Sequence, residues 1–120
     1  MKILICDDSK VMRSLVRRTL RRAGYGSHDT VEAGDGKEGK VVFDNESPGL
    51  VLSDWNMPEM NGLEFLKSVR GDGSKVPFVF VTTEGTAEMR AKADEAGATG
   101  FLVKPFTEDD VTSTLDTYLG

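Results

Sequence analysis

Three stretches, Ile3-Leu4-Ile5-Cys6, Leu50-Val51-Leu52-Ser53 and Phe78-Val79-Phe80-Val81-Thr82, are short and almost uninterruptedly apolar. A strand with one wet face alternates apolar and polar residues. A continuous run needs cover on both faces, which parallel sheets flanked by helices provide. The segments between these runs carry helical periodicity. Met12, Leu15, Val16, Leu20 and Ala23 form one apolar stripe among arginines, with Ser9 as N-cap and Gly24 as the stop. Asn61 caps a helix burying Leu63, Leu66 and Val69, and Glu64 completes its capping box.

The remaining elements are weaker. Residues 28–33, with the β-branched pair Thr30 and Val31, read as a short edge strand. Asp35-Gly36 opens a helix over 36–45, in which Gly39 costs about 1 kcal/mol relative to alanine. Thr86 to Ala96 is helical up to Gly97, and 100–103 is a short strand ending in Lys104-Pro105. Thr107 caps a last helix burying Val111, Leu115, Tyr118 and Leu119. Strand and helix thus alternate five times, giving an α/β fold with a covered parallel sheet. With right-handed crossovers, the compact solution is the flavodoxin-like (βα)5 order 2-1-3-4-5, which puts the weak second strand at an edge.

A chain of 120 residues forms one domain, expected over 1–120 with no output domain after the last helix. No apolar run approaches the ~20 residues of a membrane helix, and the first strand leaves no room for a signal peptide. A single cysteine, Cys6, leaves no disulfide framework or Cys-based zinc site, and a single histidine, His28, argues against His-based zinc sites and Ser-His-Asp hydrolysis. A lone core cysteine suits a reducing cytoplasm. The net charge of -5 disfavours nucleic acid as a partner. Residues 1–25 nevertheless carry a net +5, and their Arg13, Arg17, Arg18, Arg21 and Arg22 read as a solvated helix face.

Ligand crevices of open parallel sheets lie at the carboxyl ends of the strands. The residues ending strands 1, 3, 4 and 5 are Asp7 and Asp8, Asp54, Thr82 and Lys104. Taken alone, Asp54 is as well suited to capping the next helix as to chemistry, in which it would be a metal ligand, a nucleophile or both. Together, several carboxylates in one crevice call for a cation. With oxygen ligands only, that cation is a hard divalent ion, Mg²⁺ with Mn²⁺ as a substitute. Three acids, a hydroxyl and a lysine suit phosphoryl transfer better than carbon-ester hydrolysis, because they stabilise charge on equatorial oxygens.

The pieces Asp7-Asp8-Ser9, Asp54-Trp55-Asn56-Met57-Pro58, Met60-Asn61-Gly62-Leu63-Glu64, Val81-Thr82 and Lys104-Pro105-Phe106 resemble the receiver domains of two-component response regulators, in the CheY-like branch. The resemblance spans nearly the whole chain. It implies that Asp54 accepts phosphate from a sensor histidine kinase or histidine phosphotransfer domain. It implies Mg²⁺ ligation by Asp8, Asp54 and the backbone carbonyl of Asn56, with Asp7 holding a metal-bound water. Thr82 and Lys104 then bind the phosphoryl oxygens, Phe101 is the switch aromatic, and Asn56 and Glu84 tune dephosphorylation. It also implies a cis Lys104-Pro105 bond, a cytoplasmic monomer and no conventional enzyme activity beyond self-phosphorylation and autodephosphorylation.

A stand-alone receiver controls a protein target through the face of helix 4, strand 5 and helix 5, most plainly in chemotaxis and motility; the alternative is a phosphorelay shuttle. Phe101 replaces the tyrosine of CheY-like receivers, so an output contact through a buried hydroxyl is lost. Two rivals from other classes fail on particular residues. A dehalogenase-type phosphatase wants an acid where Asn56 stands, and an FMN carrier wants a hydroxyl- and glycine-rich loop where Asp7-Asp8 stands. A degenerate scaffold receiver would not keep the complete acidic set.

Overall fold

The computed structural model describes residues 1–119. Its elements are β1 (Lys2–Cys6), α1 (Lys10–Leu20), β2 (Asp29–Ala33), α2 (Gly36–Glu46), β3 (Leu50–Ser53), α3 (Gly62–Gly71), β4 (Phe78–Thr82), α4 (Ala87–Ala96), β5 (Gly100–Val103) and α5 (Glu108–Leu119). All strand pairs are parallel, in the order β2-β1-β3-β4-β5, so the flavodoxin-like arrangement expected from the alternation is the one observed.

Strand pleating sorts the apolar runs between two cores. Ile3, Ile5, Leu50, Leu52, Val79 and Val81 face one side and pack with Val16 and Leu20 of α1 and Val111, Leu115 and Leu119 of α5. Leu4, Cys6, Val51, Phe78 and Phe80 face the other and meet Phe65, Leu66 and Val69 of α3 and Ala93 of α4. Full burial of each such side chain contributes about 1.5–3 kcal/mol, which is why β1, β3 and β4 tolerate almost no polar residue.

The helix ends follow their capping chemistry. Ser9, Asp35, Asn61 and Thr86 each accept the backbone N–H of the third residue of their helix, and Asn61 with Glu64 forms the reciprocal capping box. Thr107 accepts from the Asp110 amide while Asp110 accepts from that of Thr107.

Periodicity misassigned several side chains. Leu15 is 43% exposed, because α1 turns it towards solvent above the α5 side of the sheet. In α3, Phe65 takes the buried place expected of Leu63, which is half-buried. Tyr118 is likewise only half-buried. Past α1 the chain runs through Arg21–Tyr25 and kinks at Gly24, whose φ is 96°, and this buries Tyr25 with its hydroxyl 3.0 Å from Asp116 Oδ1. The arginine face is not uniformly solvated either: Arg13 and Arg17 both pair with Glu32 on β2.

Candidate functional site: an acidic notch at the strand ends

Strand register brings the chemistry together. Cys6 pairs with Ser53, and the Asp54 amide donates to the Cys6 carbonyl at 2.9 Å, so Asp7 and Asp54 leave adjacent strands at one level. Thr82 pairs with Val103, and the Lys104 amide donates to the Thr82 carbonyl at 2.7 Å. Lys104, at the end of β5, reaches back over this edge. Its Nζ lies 2.9 Å from Asp7 Oδ2 and 3.9 Å from Asp54 Oδ2. Asp7, Asp54 and Lys104 thus meet, although Asp7 and Lys104 are 97 positions apart in the chain.

Each acid has a different environment. Asp7 is buried, its Oδ1 accepting the Ser9 amide at 2.9 Å and its Oδ2 accepting from Lys104. Asp8 is exposed at the lip. Asp54 is half-buried; its Oδ1 accepts the Trp55 amide at 2.7 Å and its Oδ2 faces Lys104. Burial raises the Asp54 carboxyl above its ordinary pKa; Lys104 and the Trp55 amide work against that rise, and Asp7 and Asp8 add to it.

Asp7, Asp8 and Asp54 each offer one carboxylate oxygen, and these three lie within 4.8 Å of one another. Three hard donors against a single lysine form a donor set suited to a divalent oxygen-loving ion. The shallow cleft beside them is lined by Asp8, Asn56, Met57, Pro58 and Asn61, so Asn56 stands next to the acids with its side chain in solvent.

A family model for the response regulator receiver domain matches residues 3–116. The chain belongs to that family. Chemotaxis protein CheY1 of Helicobacter pylori is 41% identical over an alignment covering all of this receiver and 98% of that protein. The CheY homologue of Campylobacter jejuni is also 41% identical, with 93% of its length covered. Among solved structures, chemotaxis protein CheY4 of Vibrio cholerae superposes with a TM-score of 0.85 at 37% identity, covering 98% of each chain.

The other residues singled out in the receiver lie on β4, on β5 and in the loop after β4. Thr82 is fully buried, and its hydroxyl accepts the Glu84 amide at 3.4 Å. The Glu84 side chain itself points to solvent. Phe101 is half-buried, 5.9 Å from the Phe80 ring and 6.4 Å from that of Trp55, and the Arg90 guanidinium covers it at 4.8 Å. The Lys104-Pro105 bond is cis.

Sequence reasoning missed three supports. Ser53 is buried and its hydroxyl donates to the Asp54 carbonyl at 2.9 Å. Gly62 backs directly onto the site: a Cβ there would lie 2.1 Å from the Asp54 carbonyl oxygen. The Asn61-Gly62 pair, which reads as a helix start and as part of the receiver resemblance, was the available signal. Arg13 of α1 donates to the Asp7 carbonyl, and nothing in its local sequence marks it out from the other arginines.

Proposed function

We propose that this receiver accepts a phosphoryl group on Asp54 from the phosphohistidine of a kinase or phosphotransfer partner, in a Mg²⁺-dependent reaction. The observation that carries the reading is the reach of Lys104 to both Asp7 and Asp54 across an edge where three carboxylates converge. A divalent ion held by Asp8, Asp54 and the Asn56 carbonyl, with Asp7 holding a water on it, would neutralise the acids and the incoming phosphoryl oxygens.

The chain's own residues account for the rest. The Trp55 amide fixes Asp54 Oδ1, so Oδ2 is the oxygen free to attack phosphorus in line. The new P–O bond forms as the P–N bond of phosphohistidine breaks, and the imidazole leaves with the electron pair and takes up a proton. Lys104 stabilises charge on the equatorial oxygens, and the Thr82 hydroxyl donates to one of them. To do so Thr82 gives up its long contact with the Glu84 amide. Phe101 repacks beside it, altering the face formed by α4, β5 and α5. Asn56 and Glu84 flank the path of attacking water and tune the return reaction.

The switched face controls a protein target, and the likeness to chemotaxis CheY proteins supports chemotaxis as its pathway. The molecule is a signalling domain that phosphorylates and dephosphorylates itself, not a conventional enzyme. Residues 1–120 act as one receiver in a reducing cytoplasm, which agrees with the burial of Cys6.

The test is incubation with acetyl phosphate and Mg²⁺, reading intact mass and Trp55 fluorescence. The expected result is an adduct of one phosphate that is absent in Asp54→Asn and without Mg²⁺. An adduct that persists in Asp54→Asn defeats the assignment.

A further inference from the structure

The three acids of the notch are not held equally. Asp7 is tied at both carboxylate oxygens, and Asp54 at Oδ1 by the Trp55 amide, with Lys104 3.9 Å from its Oδ2. The Asp8 carboxylate has no hydrogen-bond or ion-pair partner among the described residues. Its aim therefore depends on its backbone, beginning with the Asp7–Asp8 peptide plane.

That plane lies where the sheet no longer fixes it. The Asp7 amide donates to the Ala33 carbonyl at 3.1 Å, the last rung towards β2, which ends there. The Asp7 carbonyl has run out of strand neighbours and accepts instead from Arg13 Nη1. A planar peptide held at its carbonyl is held at the following amide too. The Arg13 guanidinium is itself gripped, its Nε donating to Glu32 Oε1 at 2.9 Å, while Arg17 holds the other oxygen of Glu32. Arg13 is also mostly withdrawn from solvent, its side chain 16% exposed.

We propose that Arg13 is a positioning residue for the divalent-ion site, bracing the Asp7–Asp8 peptide through the Asp7 carbonyl while Glu32 holds its fork in place. This rests on reading the notch as a divalent-ion site. The role needs a planar fork: a lysine keeps the charge but, as a single point donor, does not hold both acceptors in one orientation.

Charge and position predict opposite signs here. A cation near a metal site repels the metal, so removing it for charge reasons alone would tighten binding. Losing the brace weakens binding.

The experiment is a Mg²⁺ titration of the EDTA-stripped chain, followed by Trp55 fluorescence, with a thermal melt in metal-free buffer as the check on folding. Arg13→Met and Arg13→Lys are expected to weaken Mg²⁺ binding about tenfold, the usual scale for a residue behind a ligand. Glu32→Gln is expected to shift in the same direction. Arg18→Met, which removes the same charge from the exposed face of α1 without touching Glu32 or Asp7, is expected to leave affinity unchanged or slightly tighter. Unchanged or tighter binding in Arg13→Met, or full affinity in Arg13→Lys, overturns the proposal. Should Arg13→Met fail to fold, the lysine variant decides alone. A wild-type chain that ignores Mg²⁺ defeats the underlying site; one that binds it while its Arg13 variants bind equally defeats only the brace.

Discussion

Asp54 sits at an energetic disadvantage in the folded chain. A half-buried carboxylate beside two other acids binds its proton more tightly in the folded chain than in the unfolded one. The native state is therefore penalised as pH rises from the ordinary aspartate range near ~3.9 through the higher folded value, and the penalty persists above it. Asp54→Asn removes it. In EDTA, thermal melts should show the variant more stable than wild type at pH 7, with the difference fading as pH falls towards 4. A wild-type chain more stable than the variant at pH 7 would mean that Lys104 outweighs burial. Cys6 is a different case: burial pushes its thiol up to about 12, so a side chain close to the notch in sequence stays out of its chemistry. Sequence placed both residues correctly at a strand end. It had no means of ranking Lys104 against burial, because that balance is set by a 3.9 Å separation between distant residues.

At the scale of elements, glycines show where local rules give way to packing. By helix propensity alone, Gly39→Ala should stabilise α2 by about 1 kcal/mol. The structure reverses the sign. Gly39 is buried where α2 crosses β1 and α3, and an added Cβ would lie 3.0 Å from Cys6 Sγ and 3.1 Å from Phe65 Cε2. Both neighbours are themselves fully buried, so neither has room to withdraw. Overpacking of this kind costs about 1–3 kcal/mol, and Gly39→Ala should lower the denaturation midpoint in urea. A raised midpoint would show that the crossing is looser than its distances. Helix α4 lies at the other extreme. Ala93 is its only fully buried residue, and its C-terminal end is anchored by Arg70, which donates through Nε and Nη2 to the Gly97 carbonyl. A helix so lightly embedded, beside Phe101, is the element best suited to move.

For the whole molecule, the sheet is the rigid part and the site occupies its edge. A ligand that binds only the folded chain stabilises it by about 2.7 kcal/mol at one hundred times its dissociation constant. For a domain of this size that corresponds to roughly 10 °C in melting temperature. Saturating Mg²⁺ should produce a shift of that order in wild type, and Asp8→Asn should lose most of it. Melting curves that ignore Mg²⁺ at tens of millimolar would remove the metal from the account. Mn²⁺ should act in the same way, since the donors are all oxygen.

The amino-acid sequence by itself determined the sheet, its strand order and the edge where the acids gather. Continuous apolar runs demand cover on both faces, and the alternation with amphipathic segments leaves one compact way to supply it. Tertiary structure alone decided which acid Lys104 holds, that Arg13 rather than another arginine reaches the Asp7 carbonyl, and that Leu15 is exposed while Phe65 is buried. The reason is range. Periodicity records only which face a residue takes on its own element, whereas contacts across 97 positions depend on how whole elements pack.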